Sequence, residues 1–295
     1  MKVAKIYYNS NSGFNAIFTN LIHSLTQVKK YGFYPIIEWY SSTYSDDINE
    51  NIFYKYFELK IKPHENEDLD YSDVITVSPY QLRENRISWR KILCDAYSTY
   101  IDVKPFVIAR VNQIFSNPNI DIDTPFIGVH IRNTDRIIEQ AYASPGIQYV
   151  IDRLIDVLKE YKCKNTHKIG LYIASDNIPD VDLLKKTLAS AASASASTST
   201  QLPLIIYIED PNCVRSPNQT SVHGDFDEGI KTATKEEKAL SILTDIYSLA
   251  KCEKIVKTCS NVTAMVGIIS PKTEFIDVSI EHGKQSDEWL LVPGI

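Results

Sequence analysis

The chain has 295 residues, with 31 Lys and Arg against 37 Asp and Glu, a net charge of −6, and 44% hydrophobic content. That length and apolar content suit two ordinary domain cores, and an acidic balance without a dense basic patch argues against a nucleic-acid partner. No apolar run approaches transmembrane length, and Met1 to Ser10 is too short and too polar beyond Tyr8 for a secretory signal, so no integral membrane segment and a cytoplasmic location are expected.

Val3 to Tyr8 predicts the first strand. After the turn Asn9-Ser-Asn-Ser-Gly13, Ile17, Leu21 and Leu25 at helical spacing predict a helix that ends at Gly32. Phe33 to Trp39 predicts a second strand, giving the β-turn-α-β opening of a Rossmann-like half. Gly13 is a candidate substrate contact, where a ligand can approach backbone amides at the helix start; its plainer role is an ordinary tight turn. Residues 41 to 80, rich in Tyr, Asp and Asn, predict loops with short helices such as Asn51 to Phe57. Tyrosines there suit stacking on sugar faces, or are simply surface residues.

Ser88 to Phe115 reads as mostly helical, with a connection near Pro105 between two domains, 1–104 and 105–295. Beyond it, strands are predicted at Phe126 to Val129, Ile169 to Ala174, Leu204 to Ile208, Lys254 to Lys257 and Glu274 to Val278. Helices are predicted through Tyr149 to Lys159, Asp180 to Leu188, Thr234 to Ala250 and onward from Val262. This alternation predicts an α/β fold with a parallel sheet. The Ala-Ser tract at 189–200 predicts a flexible loop or frayed helix end, and 211–233 a long loop carrying His223 and Asp225.

Polar chemistry collects where these strands end. In Phe126-Ile-Gly-Val-His-Ile-Arg-Asn-Thr-Asp-Arg136 a hydrophobic strand runs into His130, Arg132, Thr134, Asp135 and Arg136 with no turn residue between. Ligands of parallel sheets gather at that carboxyl edge, and a guanidinium there offers phosphate oxygens a planar, permanently charged fork. Lys168-Ile-Gly-Leu-Tyr-Ile-Ala-Ser-Asp-Asn177 brings Asp176 to a second strand end. Thr244 to Met265 reads as the end of a helix holding Asp245, then a strand, then Ser260-Asn261 opening another helix whose amides suit phosphate. Each has a plainer reading: solvated strand-end charges, an exposed helix carboxylate at Asp245, a scaffold histidine at His130, and a simple helix cap at Ser260 and Asn261.

Together the three segments resemble the short motifs of the fucosyltransferase superfamily, over roughly residues 126 to 280, with a looser likeness at Gly13-Phe14 and Gly32 to Trp39. The resemblance implies a GT-B-like α/β fold, two Rossmann-like domains facing across a cleft, the first binding a glycan acceptor and the second a nucleotide sugar. It implies inverting, metal-independent transfer of fucose from GDP-fucose to a glycan hydroxyl, with no cofactor besides the donor. Arg132 would stabilise the leaving diphosphate with support from Arg136. His130, Asn133, Ser260, Asn261, Gly13 and His223 would contact substrate, and Asp176 and Asp245 would accept from guanine N–H groups or ribose hydroxyls. Glu139 is the favoured general base and Asp135 the alternative, with His223 and Asp225 as further candidates. Asn133 stands where several members carry a second arginine, so another nucleotide sugar, or a catalytically idle glycan- or nucleotide-binding protein, stays open. Asp121-Ile-Asp123 matches a metal motif by letters but precedes the Phe126 strand, at the wrong edge for a ligand. Cys94, Cys163, Cys213, Cys252 and Cys259 are odd in number and lack C-x-x-C spacing, which fits reduced thiols rather than a zinc site.

Overall fold

The computed structural model describes residues 2–10, 12–62, 70–76, 89–116, 118, 120–121, 123–132, 146–164, 166–194, 202–215 and 233–281. The first half is built on a parallel sheet in the order β2-β1-β4, from β1 (Lys2–Asn9), β2 (Tyr34–Tyr40) and β4 (Asp70–Thr76). Helix α1 (Phe14–Tyr31) packs on one face of it, because alternate strand residues Ala4, Ile6, Ile37 and Trp39 share a core with Phe14, Ile17, Phe18 and Leu21. The other alternate set, including Lys5, Tyr7, Glu38 and Tyr40, is less buried, and Tyr7 remains 47% exposed. Gly32 ends α1 as expected. Its φ of 67° is left-handed, and its amide and that of Phe33 donate to Lys29 and Val28 carbonyls.

The sequence did not predict three strands of this half, two of them only three residues long. β3 (Phe57–Leu59), directly after α2 (Ile52–Tyr56), pairs antiparallel with β5 (Ile101–Val103), which lies between α3 (Trp89–Tyr100) and α4 (Pro105–Phe115). The helical reading of 88–115 is thus interrupted. The signal was available in Lys104, whose place before Pro105 disfavours helix and whose φ and ψ are −63° and 143°. β4 opens on Asp70-Tyr-Ser-Asp, a polar run that hides the Val74-Ile-Thr76 strand character. The tyrosines expected to line a loop divide: Tyr44 and Tyr56 are fully buried core residues, while Tyr54 is 42% exposed.

The second half alternates as predicted: β6 (Phe126–Ile131), α5 (Ile147–Cys163), β7 (Lys168–Ser175), α6 (Ile178–Ala194), β8 (Leu204–Ile208), α7 (Lys235–Leu249), β9 (Lys254–Lys257), α8 (Asn261–Ile269), β10 (Glu274–Asp277) and α9 (Val278–Glu281). Helix α6 takes in the first part of the Ala-Ser tract, where alanine favours helix. The five strands are parallel in the order β10-β9-β6-β7-β8. The chain steps outward from β6 through β7 to β8, then returns past β6 to lay down β9 and β10. Gly128 in β6 is required by close packing: a Cβ there would lie 2.8 Å from Leu249 Cδ2 and 3.0 Å from Ile255 Cγ1.

One apolar cluster fills the face of this sheet toward α5 and α6, with Ile127, Val129, Val150, Leu154, Leu171 and Leu184. A second is continuous from α1 and α3 into α7 and α8, joining Phe18, Leu21 and Leu93 to Tyr172, Leu243 and Met265. Arg90 of α3, 2% exposed, fastens this junction. Its guanidinium donates to Gly267 O (3.2 Å), Ser270 O (3.1 Å) and Thr273 O (2.9 Å), satisfying carbonyls at the end of α8, and lies over the Phe275 ring. Beside it Tyr97 and Tyr247 share a hydrogen bond of 2.6 Å. Among the described residues, no helix is long and apolar enough to cross a membrane.

Candidate active site at the carboxyl edge of the second sheet

Strand order reverses between β6 and β9, so their carboxyl ends flank the switch point whose outer crevice is the usual ligand position in such sheets. His130 pairs in register with Lys257 and Ala174, and its carbonyl accepts from the Thr258 amide at 3.4 Å. Arg132, the first residue past β6, is half-buried at this edge. Within range of its charge lies Tyr44 of the first half, whose hydroxyl accepts from the Phe14 amide at 2.8 Å. Burial pushes the Tyr44 phenol up to about 12, opposed by that amide and by the Arg132 charge. The structure therefore brings Arg132, Tyr44 and the start of α1 at Gly13 together, two of them predicted and Tyr44 unforeseen.

On the β9 side, Ser260 is 1% exposed and caps α8, its hydroxyl accepting from the Val262 amide at 3.1 Å, while Asn261 at the first helical position is exposed. The cap reading of Ser260 is thus observed, and it fixes the helix start against the crevice. His130 is 5% exposed, a mostly enclosed strand residue. Asn133, Asp135, Arg136, Glu139 and His223 lie outside the described residues.

On the β7 side, Asp176 follows the strand end and Asp245 faces it from α7. Asp245 is partly buried rather than a solvated helix residue, and Tyr172 donates to its Oδ1 at 2.6 Å. Burial pushes the Asp245 carboxyl up to about 7, against the pull of the Tyr172 hydroxyl and the Arg215 guanidinium, with Asp210 and Asp176 adding to the rise. Arg215 donates to Ser175 O (3.2 Å) and Ile173 O (3.1 Å), and Asp210, 4% exposed, accepts from Arg110 Nε at 3.1 Å. Sequence reasoning missed Tyr172, Arg215 and the Arg110–Asp210 pair. Only the strand and helix placement of Tyr172 was legible, because the others depend on where the segment after β8 folds back.

Asp245 carries a stability prediction. Its folded-state pKa lies above the ordinary 3.8, so the folded protein holds this proton longer and loses stability as pH rises from about 4 through about 7. Asp245→Asn keeps an acceptor for Tyr172 but removes that loss. It is expected to flatten the decline and to be more stable than the parent at pH 8 by on the order of 1–2 kcal/mol, allowing for partial exposure. Urea melts across that pH range check this; parallel pH profiles for the two proteins would contradict it.

A groove of about 670 Å³ lies at the opposite, amino edge, lined by Asp121, Asp123, Tyr161, Lys168 and Glu253 among others. It places Asp121 and Asp123 away from the strand ends that form the crevice, as expected.

No family model matches the chain, and no curated protein matches it. Solved structures do. The fucosyltransferase NodZ from Bradyrhizobium aligns over 93% of this chain and 95% of its own, at 13% identity and a TM-score of 0.50. NodZ alpha-1,6-fucosyltransferase soaked with GDP-fucose aligns over 93% and 94%, also at 13% identity and 0.50. A mutant of Arabidopsis thaliana FUT1 in complex with GDP aligns over 94% of this chain and 69% of its own, at 12% identity and 0.50. The chain shares their fold. The α/β, GT-B-like architecture implied by the motifs is therefore the observed one, and it extends well upstream of the motif region to nearly the whole chain.

Proposed function

We propose that this protein is a glycosyltransferase that moves fucose from GDP-fucose to a glycan hydroxyl, with inversion and without a metal ion. The observation that carries the reading is the placement of Arg132 and the Ser260–Asn261 helix start on either side of the crevice where strand order reverses. A charged fork and a helix N-terminus converging on one crevice suit a diphosphate. The shared fold supports it, since relatives of that fold are described as bound to GDP or soaked with GDP-fucose.

In this reading residues 105–295 hold the donor and 1–104 the acceptor across the cleft, in a cytoplasmic protein. Glu139, or Asp135 in its place, removes the acceptor proton. The freed oxygen attacks the anomeric carbon from the face opposite GDP. As the bond from that carbon to the β-phosphate oxygen breaks, its electron pair leaves with GDP, and the charge settles against Arg132 with Arg136 in support. Asp176 and Asp245 accept from guanine or ribose, and Asn133 hydrogen-bonds where a second cation is absent. The less buried row of Lys5, Tyr7, Glu38 and Tyr40 offers an acceptor sugar both rings and hydrogen-bonding groups on the first half.

The test is thermal stabilisation by GDP, GDP-fucose and UDP without added metal. At a hundredfold excess over Kd, GDP and GDP-fucose are expected to add about 2.7 kcal/mol, and UDP far less. A UDP preference would keep the transferase and replace the donor, the reading that Asn133 favours. No response to any nucleotide would overturn both.

A further inference from the structure

The strand that leads into the donor side of the crevice ends in a fully buried ion pair. Lys257, the last residue of β9, is 0% exposed, and its Nζ lies 2.7 Å from Asp277 Oδ2, also with no exposed side-chain surface, at the end of the neighbouring edge strand β10. Taking two charges out of water is unfavourable unless further hydrogen bonds use their remaining capacity. Here they do. Asp277 Oδ1 accepts from the Ser279 amide at 2.9 Å, and the Ser279 hydroxyl, itself 0% exposed, accepts from the Cys259 amide at 3.2 Å. On the other side the Thr258 amide donates to His130 O at 3.4 Å. Lys257 and the three residues between β9 and α8 are thus tied in turn: Lys257 and Cys259 to the β10 end, Thr258 to β6, and Ser260 to its own helix as a cap.

From this we infer that Lys257, Asp277 and Ser279 form a brace that positions the Thr258–Ser260 turn, and through it the amides at the start of α8, for the diphosphate of the donor. They are positioning residues, since none of the three has surface to offer a ligand. The inference rests on the donor reading above. Its physical content is that a helix start serves as an anion site only if its amides are held where the oxygens arrive, and a turn anchored at alternate residues to two neighbouring strands is so held. The brace acts on the phosphate end of the nucleotide alone. The base and ribose contacts proposed for Asp176 and Asp245 lie on the β7 side of the sheet, two strands away.

That separation supplies the experiment. Ser279→Ala removes the bond to the Cys259 amide while leaving the Lys257–Asp277 pair in place, and Asp277→Asn keeps the acceptor for Ser279 while weakening the hold on Lys257. Binding of GDP and of guanosine is measured by calorimetry and ligand-observed NMR on the full chain, with a melting temperature for each variant. The expected result is a three- to tenfold loss of GDP affinity in Ser279→Ala, with guanosine affinity and melting temperature little changed, as roughly one lost hydrogen bond predicts. Asp277→Asn should lose at least as much GDP affinity, again without a matching loss for guanosine. If both ligands weaken equally, the trio merely stabilises the domain and the inference fails. If GDP binds the parent and both variants alike, the inference fails while the donor reading stands. If the parent binds no GDP, the donor reading falls and takes the brace with it.

Discussion

Replacing Arg132 with alanine is expected to lower turnover of GDP-fucose about 10²–10³-fold and to abolish most of the stabilisation by GDP, while the unliganded melting temperature holds within a few degrees. The side chain is half-buried at the carboxyl edge of the central strand β6, so its removal opens no core cavity. On the donor reading proposed above, what it removes is the cation facing the departing diphosphate. Arg132→Lys keeps the charge but loses the planar fork that meets two oxygens at once, so it should recover only part of the rate. Tyr44 reports on the same position, because the Arg132 charge holds its phenol down against burial. Unchanged GDP stabilisation in Arg132→Ala would place the diphosphate elsewhere and undo the donor assignment.

The largest stability effect should come from Lys257→Met. It removes the cation that lies 2.7 Å from the buried Asp277 carboxylate, and breaking a buried pair from one side costs about 3–5 kcal/mol. For a chain of this size that is a loss of about 5–8 °C in melting temperature, to be read by urea and thermal melts. Lys257→Met combined with Asp277→Leu should regain much of it, because a buried pair exchanged for apolar side chains of similar volume is often neutral. A single mutant within about 1 kcal/mol of the parent would mean that water or a nearby group compensates the carboxylate.

Much of the second half could be read from the chain itself. Its strands announce themselves as short apolar runs between helical periods, and each ends in the polar residues that mark the crevice. What sequence could not supply is lateral order. Lys257 and Asp277 stand at the ends of two strands that are both visible in the sequence, yet only the pairing of β9 with β10 puts them in contact. Tyr44 is a similar case: a tyrosine in a polar stretch reads as surface, yet it packs edge-on against Phe14 of α1 in the core. Arg90 reads as an ordinary helix charge, because the carbonyls it satisfies lie 177 to 183 residues further along the chain. The short strands β3 and β5 were missed because three residues give no period, although Lys104 before Pro105 marked where extended backbone begins.

The apolar cluster that runs from α1 and α3 into α7 and α8, with Arg90 threaded into the end of α8, has a mechanical meaning. Halves that meet through a wet, polar seam swing as rigid bodies; halves that share a dry core and a buried guanidinium do not. The two parts of this chain share one core, so neither half is a module that could be lifted out and kept intact.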